Sequence, residues 1–123
     1  MLAHVFPDDR AVLLTRDAAR TAASVAAFAP GDASAWQATV EHWHGVREPL
    51  LHAVLGPFPP LRPGVALLRR QGLGGTLRLG RLAASSVLQL AREEFAGAGA
   101  QALLVGNALH SDVPATAPGS ALL

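Results

Sequence analysis

The chain is short, apolar and almost neutral, and these properties limit what it can be. It has 123 residues, 50% of them hydrophobic, and 10 basic against 9 acidic residues give a net charge of +1. This length accommodates one small domain, and the balanced charge excludes a disordered polyelectrolyte. Because there is no cysteine, disulfide frameworks, thiolate nucleophiles and Cys-ligated metal sites are excluded.

Residues 1–15 predict a β-hairpin. Leu2–Phe6 and Ala11–Thr15 are short apolar runs, and the intervening Pro7–Arg10 supplies turn residues. A two-stranded hairpin alone is only marginally stable in water. We therefore expect it to need a partner sheet that this chain does not supply.

Two helices are predicted over residues 16–55. The first spans Arg16–Phe28, and Asp32 is a favourable N-cap for the second. Pro49 falls inside the second helix, so we expect a kink or break near Val46. The large apolar residues of the second helix fall close to one face: Trp36, Val40, Trp43, Leu50 and Val54.

Residues 56–64 are rich in proline and predict an extended, rigid connector. Helices are predicted again within 65–110, at Val65–Gln71, Leu77–Ala96 and Ala100–His110. The tail, 111–123, is predicted to be irregular, although Ser120–Leu123 is typical of the start of another apolar helix.

The glycine-rich segment Gly72–Leu77 is a weak candidate for a phosphate-binding loop. The third glycine of a GxGxxG fingerprint is replaced by Leu77, and no apolar strand precedes the segment. A helix–helix turn is the better interpretation. The histidines do not show zinc-ligand spacing either, since His42 and His44 lie two residues apart, on different faces of a helix.

An arginine- and leucine-rich stretch covers residues 62–82. Its arginines have no acidic residue nearby in the sequence, and the stretch lacks the aromatic residues or reading element expected for nucleic-acid binding. Two interpretations stay open, a solvated helix face and a membrane-surface patch. The arginines are Arg62, Arg69, Arg70, Arg78 and Arg81.

Two polar pairs remain as candidates for chemistry. Glu93 and Glu94 are adjacent and diverge on a helix, which favours a solvent-facing helix end over paired acid–base catalysis. Asn107 and His110 lie three residues apart on an otherwise apolar helix. A buried polar pair needs partners, so these two either orient a substrate or satisfy a neighbouring loop.

Three segments of the chain resemble the interior of phytoene desaturase-like, NAD(P)/FAD-dependent oxidoreductases. They are Leu55–Pro60, Glu93–Phe95 and, most specifically, Gln101–Asp112 with its sequence QALLVGNALHSD. The hairpin, followed by Pro30-Gly31-Asp32 and Trp36, is similar to the start of the substrate domain of that family. The resemblance extends over nearly the whole chain.

The resemblance implies a fragment of an α+β substrate domain inserted in a Rossmann-type FAD fold, here mainly α with an N-terminal β-hairpin. It implies an FAD-dependent oxidoreductase that acts on an apolar small-molecule substrate, with Asn107, His110 and Ser111 as candidates for lining the pocket. The flavin-contacting segments of the family have no counterpart in 1–123. We therefore expect the isolated chain to bind no FAD, to lack activity and to aggregate or oligomerise. A truncated gene, a split gene and a complementing chain that supplies the FAD domain all stay open as the origin of such a fragment. No catalytic, cofactor-binding or metal-binding residue is assigned.

Two alternatives stay open. The chain is a stand-alone helical module that uses stretch 62–82 against a partner or a membrane surface, or the reading frame has no native product. No targeting or membrane-spanning segment is visible, because the uncharged apolar windows are shorter than the roughly 20 residues of a span. We expect a cytoplasmic protein, peripheral to the membrane at most, with no nucleic-acid partner.

Overall fold

A computed structural model of the chain describes residues 1–55, 61–108, 110 and 112–122. These residues contain two strands and five α-helices, and the predicted fold class, mainly helical with an N-terminal hairpin, is confirmed. A 3-10 turn, Ser120–Leu122, follows the last helix. In chain order the elements are β1 (Leu2–Val5), β2 (Ala11–Leu14), α1 (Ala18–Ala26), α2 (Asp32–Leu55), α3 (Leu61–Ala84), α4 (Val87–Glu94) and α5 (Ala98–Ala108).

The two strands pair antiparallel, as predicted, with Leu2 opposite Leu14 and Val5 opposite Ala11. A tight turn joins them. In it the Asp9 N–H donates to the Phe6 carbonyl over 3.1 Å, and Asp9 has a φ of 61°. Aspartate tolerates this left-handed conformation better than most residues, which explains its place at the turn.

Helix α1 lies beside β2 and is fixed to it by hydroxyl groups. Asp17 caps the helix by accepting from the N–H groups of Ala19 and Arg20. Farther along, the Ser24 hydroxyl accepts from the Leu13 N–H over 2.8 Å, and the Thr21 hydroxyl accepts from the Thr15 N–H over 3.0 Å. These two N–H groups point away from β1, so α1 occupies the outer edge of β2.

The core forms between the hairpin, α1, the first part of α2, and α5. Phe95, directly after α4, completes it, and its ring lies 5.8 Å from that of Trp36. No residue of α3 belongs to this cluster as far as the structure describes it. The buried members are Val12, Ala22, Val25, Trp36, Phe95, Ala100 and Leu103.

Asp32 holds distant parts of the chain together. Its side chain is buried, and its two carboxylate oxygens accept from the N–H groups of Ala96 and Gly97, each over 2.9 Å. The prediction that Asp32 caps α2 is therefore wrong. Its residue type suits a cap, but within the described residues its hydrogen bonds go to the loop between α4 and α5.

Helix α2 runs unbroken from Asp32 to Leu55, so the break predicted near Val46 does not occur. A proline inside a helix removes one backbone hydrogen bond. Helix α3 packs against α2, and tertiary packing commonly overrides a local helix-breaking residue.

Helix α3 begins earlier than predicted. Residues 56–60 of the predicted connector lie outside the described residues, whereas 61–64 form the first turn of α3. A proline at 63 is compatible with a first turn, because the N–H groups there have no acceptor within the helix. Gly72, with φ 65° and ψ −176°, divides α3 into two helical halves. The predicted glycine-rich turn is thus confined to one residue.

The prediction of one helix over Leu77–Ala96 is wrong. Helix α3 ends at Ala84, and α4 starts after Ser86, whose hydroxyl accepts from the Gln89 N–H over 3.1 Å. Serine in an extended conformation is a favoured N-cap, and this local hydrogen bond starts a new helix.

Helix α5 matches the predicted Ala100–His110 with both ends two residues earlier. The tail that follows packs back onto the fold. The Ser120 hydroxyl is buried and accepts from the Val87 N–H over 2.9 Å, and the Leu88 N–H donates to the Ala115 carbonyl over 3.0 Å. The predicted further helix at Ser120 is the 3-10 turn.

Candidate functional site

The predicted pocket residues lie at the end of α5. Asn107 is in its last turn and is exposed; His110 lies beyond the helix end at Ala108 and is exposed as well. Ser111 lies outside the described residues. Because the helix stops at Ala108, Asn107 and His110 do not form the predicted pair on one helix. Whether they line a pocket stays a prediction.

Helix α5 also makes a close contact with the hairpin. Gly106 lies against the His4 imidazole so closely that a Cβ atom at position 106 would overlap the ring. The His4 Nε2 atom is buried and has no hydrogen-bond partner in the described part of the chain. This contact was not predicted, since sequence spacing does not show that residues 4 and 106 meet.

The outward face of the hairpin is apolar. Ala3, Val5 and Ala11 are exposed, Leu13 is half-buried, and Val5 has a relative accessibility of 75%. The inward face is mostly apolar, with Val12 fully buried in the core and His4 opposite it. A sheet that is mostly apolar on both faces is typical of strands lying between two layers.

An ion pair and an aromatic cluster lie at the hairpin turn. Arg10 Nε donates to the Asp8 carboxylate over 2.7 Å, and its guanidinium lies 4.4 Å from the centre of the Phe28 ring. The Phe6 and Phe28 rings are 4.8 Å apart. The hydrogen bond from Arg10 lowers the pKa of Asp8 below its ordinary value.

The arginines of stretch 62–82 are less isolated than the sequence indicates. Arg70 pairs with Glu48 of α2 over 3.2 Å. Glu93 and Glu94 lie at the end of α4, where Glu93 is exposed and Glu94 is half-buried, as expected for a solvent-facing helix end. They also bind arginines of α3: Arg81 pairs with Glu93 over 2.6 Å, and Arg78 with Glu94 over 3.2 Å.

The same helix exposes large apolar side chains. Leu73 and Leu77 have relative accessibilities of 75% and 72%, and they lie one helical turn apart. Arg69 precedes them and is exposed, with no ion pair within the described residues. The side chain of Arg62 lies outside the described part. Exposed leucines beside arginines are the one feature of α3 that suits a docking surface.

Helix α2 carries an open groove that is lined by both polar and apolar side chains. The structure describes no group of three or more histidine, aspartate or glutamate residues that could hold a metal ion, in the groove or elsewhere. In the described residues, no helix has both the length and the hydropathy needed to cross a membrane. The groove is lined by His44, Arg47, Glu48, Leu51, His52 and Leu55.

Gly72–Leu77 does not form a dinucleotide-binding turn. Such a turn joins a strand to the N-terminus of a helix, but here the glycines lie inside α3, between two helical halves. This segment therefore does not form the phosphate-binding turn of a dinucleotide site.

Comparison of the chain with protein-family models, with curated proteins and with solved structures finds no match.

Proposed function

We propose that this chain is a substrate-domain segment of a phytoene desaturase-like, FAD-dependent oxidoreductase and contributes to an apolar substrate pocket. The resemblance of Gln101–Asp112 to that family suggests the activity. The observation that carries the structural part is the hairpin, whose outward face is apolar and exposed at Ala3, Val5 and Ala11 while its inward face packs on the core. Its outward face is suited to contact with a further layer, such as a flavin domain.

The proposal assigns binding, not redox chemistry, to these residues. In the proposal the flavin, which accepts hydride in such enzymes, is bound by another segment or chain, because the resemblance covers the substrate domain of the family and Gly72–Leu77 lies inside α3. Asn107, His110 and Ser111 are the proposed pocket residues. Support for them comes from the resemblance of Gln101–Asp112 to the family and from the exposure of Asn107 and His110 at and beyond the end of α5.

The test begins with the coding locus. We expect the flanking DNA to encode a strand followed by GxGxxG, in frame or as a neighbouring gene, and the co-expressed product to show a flavin absorbance spectrum. An apolar polyene added without oxygen should then reduce and bleach the flavin. Unrelated genes on both sides, with no flavin in the product, would refute the proposal.

The pocket residues are tested in that flavoprotein. Asn107→Ala and His110→Ala should each raise KM for the polyene by about threefold, through lost contacts worth roughly 0.6 kcal/mol. The flavin spectrum should not change. Gln89→Ala, an exposed position on α4, is the matched control and should leave KM unaltered.

A second function, a helical module at an anionic membrane surface, is favoured by one specific observation. Leu73 and Leu77 are exposed beside Arg69 and Arg70, the pattern of apolar and basic residues that binds lipid headgroups. The proposed cytoplasmic, peripheral location is compatible with either function.

Vesicle binding tests the second function. The chain should bind vesicles of phosphatidylglycerol more tightly than those of phosphatidylcholine, with an affinity that falls as salt rises. Replacing Arg69 and Arg70 by Gln should weaken binding about thirtyfold, at about 1 kcal/mol per arginine. Replacing Arg16 and Arg20 on α1 by Gln is the control. Equal losses in both double variants would contradict a specific surface.

A further inference from the structure

The two outer edges of the hairpin differ in how their backbone groups are satisfied. The Phe6 N–H donates to the Arg10 carbonyl over 2.8 Å. Hydrogen-bonded and non-hydrogen-bonded residue pairs alternate along an antiparallel ladder. Since Phe6 and Arg10 are hydrogen-bonded, the pairs His4–Val12 and Leu2–Leu14 are hydrogen-bonded as well. The backbone groups of the intervening residues therefore point away from the partner strand.

On the β2 side two of these outward N–H groups are occupied. The outward N–H groups of Leu13 and Thr15 donate to the hydroxyls of Ser24 and Thr21 on α1. On β1 the outward groups belong to Ala3 and Val5, and none of the described residues bonds to their N–H groups. The hairpin is thus closed on one side by α1 and open on the other.

The open edge lacks the features with which proteins block strand addition. Residues 2–6 contain no charged residue, proline or glycine, and the register of β1 with β2 shows no bulge. Edge strands that avoid pairing usually carry a charge, a proline or a bulge. The outward-facing residues, Ala3 and Val5, are both exposed.

We propose that the edge of β1 pairs antiparallel with β1 of a second copy of this chain, which forms a four-stranded sheet of order β2-β1-β1-β2. A two-fold axis sets Ala3 of each copy opposite Val5 of the other. In each of these two pairs, the outward N–H of one residue donates to the outward carbonyl of its partner residue. The pairing is self-complementary, as an isologous contact requires. It rests on the hairpin alone and does not depend on the proposed oxidoreductase function.

Charge favours this antiparallel arrangement over a parallel one. The turn carries Asp8, Asp9 and Arg10, a net charge of −1, with Arg10 paired to Asp8. Antiparallel pairing places the two turns at opposite ends of the sheet, whereas parallel pairing would set their like charges side by side. The contact is short, well below the roughly 1,000 Å² of a stable interface. We therefore expect a dimer that forms reversibly as concentration rises.

Sedimentation velocity over a concentration series, on the full chain, tests the proposal with two matched variants. Ala3→Pro removes an outward N–H from the open edge, a position where proline is compatible with a strand. Ala11→Pro makes the same change on the outer edge of β2. We expect the chain and Ala11→Pro to dimerise alike, and Ala3→Pro to raise the dimer dissociation constant at least tenfold.

Amide exchange followed by NMR supplies a second readout. In the unaltered chain the N–H groups of Ala3 and Val5 should exchange more slowly as concentration rises, while circular dichroism confirms that both proline variants remain folded. Three results would overturn the proposal: a monomer at every concentration, dimerisation that persists in Ala3→Pro, or equal loss in the two variants. If the chain bound only a different, flavin-bearing chain, it would stay monomeric on its own, and this too would overturn the proposal.

Discussion

Among single residues, Asp32 makes the most consequential polar contact, because one buried carboxylate satisfies two backbone N–H groups 64 and 65 residues away in the sequence. Asp32→Ala would leave both N–H groups without an acceptor, which should cost about 3 kcal/mol in the free energy of unfolding. Urea denaturation measures the loss. Asp17→Ala removes an exposed cap of α1 and should cost only about 1 kcal/mol. Equal losses would mean that the Asp32 contact does not stabilise the fold.

The Asp8–Arg10 pair gives a prediction about pH at the same scale. Arg10 lowers the pKa of Asp8 in the folded hairpin, so the folded chain binds the Asp8 proton less tightly than the unfolded chain does. The stabilisation is therefore present above the unfolded-state pKa of Asp8 and is lost as pH falls through the lower, folded value. It is small, because the pair is solvent-exposed.

An NMR titration of the Asp8 carboxyl checks this. We expect its pKa below the ordinary value of aspartate in the unaltered chain, and a return toward that value in Arg10→Gln. Arg16→Gln, at an exposed position away from the turn, should have no effect. A titration of Asp8 that is the same in all three proteins would contradict the pairing.

At the scale of elements, α3 depends on one glycine. Gly72 has φ 65° and ψ −176°, a conformation essentially restricted to glycine. Gly72→Ala should therefore lower the free energy of unfolding by about 1–3 kcal/mol. Gly74→Ala, two residues later at a helical position with no heavy atom within 4 Å of the added Cβ, should raise it by about 0.5–1 kcal/mol. Thermal unfolding measures the stability of both variants. If both substitutions changed stability in the same direction, Gly72 would not set the boundary between the two helical halves.

The elements also show what the sequence can and cannot predict. Local signals were sufficient for the hairpin, for α1 and for α5, because turn residues and apolar runs act within a few positions. Contacts between distant segments were not predictable in this way: Asp32 has the residue type of a helix cap but binds the α4–α5 loop. The pairing of Arg78 and Arg81 with Glu94 and Glu93 likewise depends on how α3 and α4 pack. For the candidate site, the sequence correctly predicted that Asn107 lies on α5. It did not predict the contact between His4 and Gly106.

In the whole molecule, stability is distributed unevenly. The core cluster draws on the hairpin, α1, the first part of α2 and α5, whereas the region where α2 and α3 pack against each other has exposed apolar residues such as Leu51, Leu68 and Leu73. Regions with few buried contacts open more often than the core does. In hydrogen-exchange mass spectrometry, peptides covering 65–78 should therefore exchange before those covering α5. Equal protection throughout would show that α3 unfolds only with the core.

A matched pair of leucines tests whether the chain folds as a unit at all. Leu103 is 1% exposed and belongs to the core, whereas Leu73 is 75% exposed on α3. Leu103→Ala should lower the free energy of unfolding by about 3 kcal/mol through lost burial and a cavity, while Leu73→Ala should change it by less than about 0.5 kcal/mol. A reading frame with no native product would unfold without cooperativity and would not distinguish the two. A sharp transition that only Leu103→Ala shifts would therefore establish a folded protein, independently of whether a flavin domain, a membrane or a second copy covers its apolar surfaces.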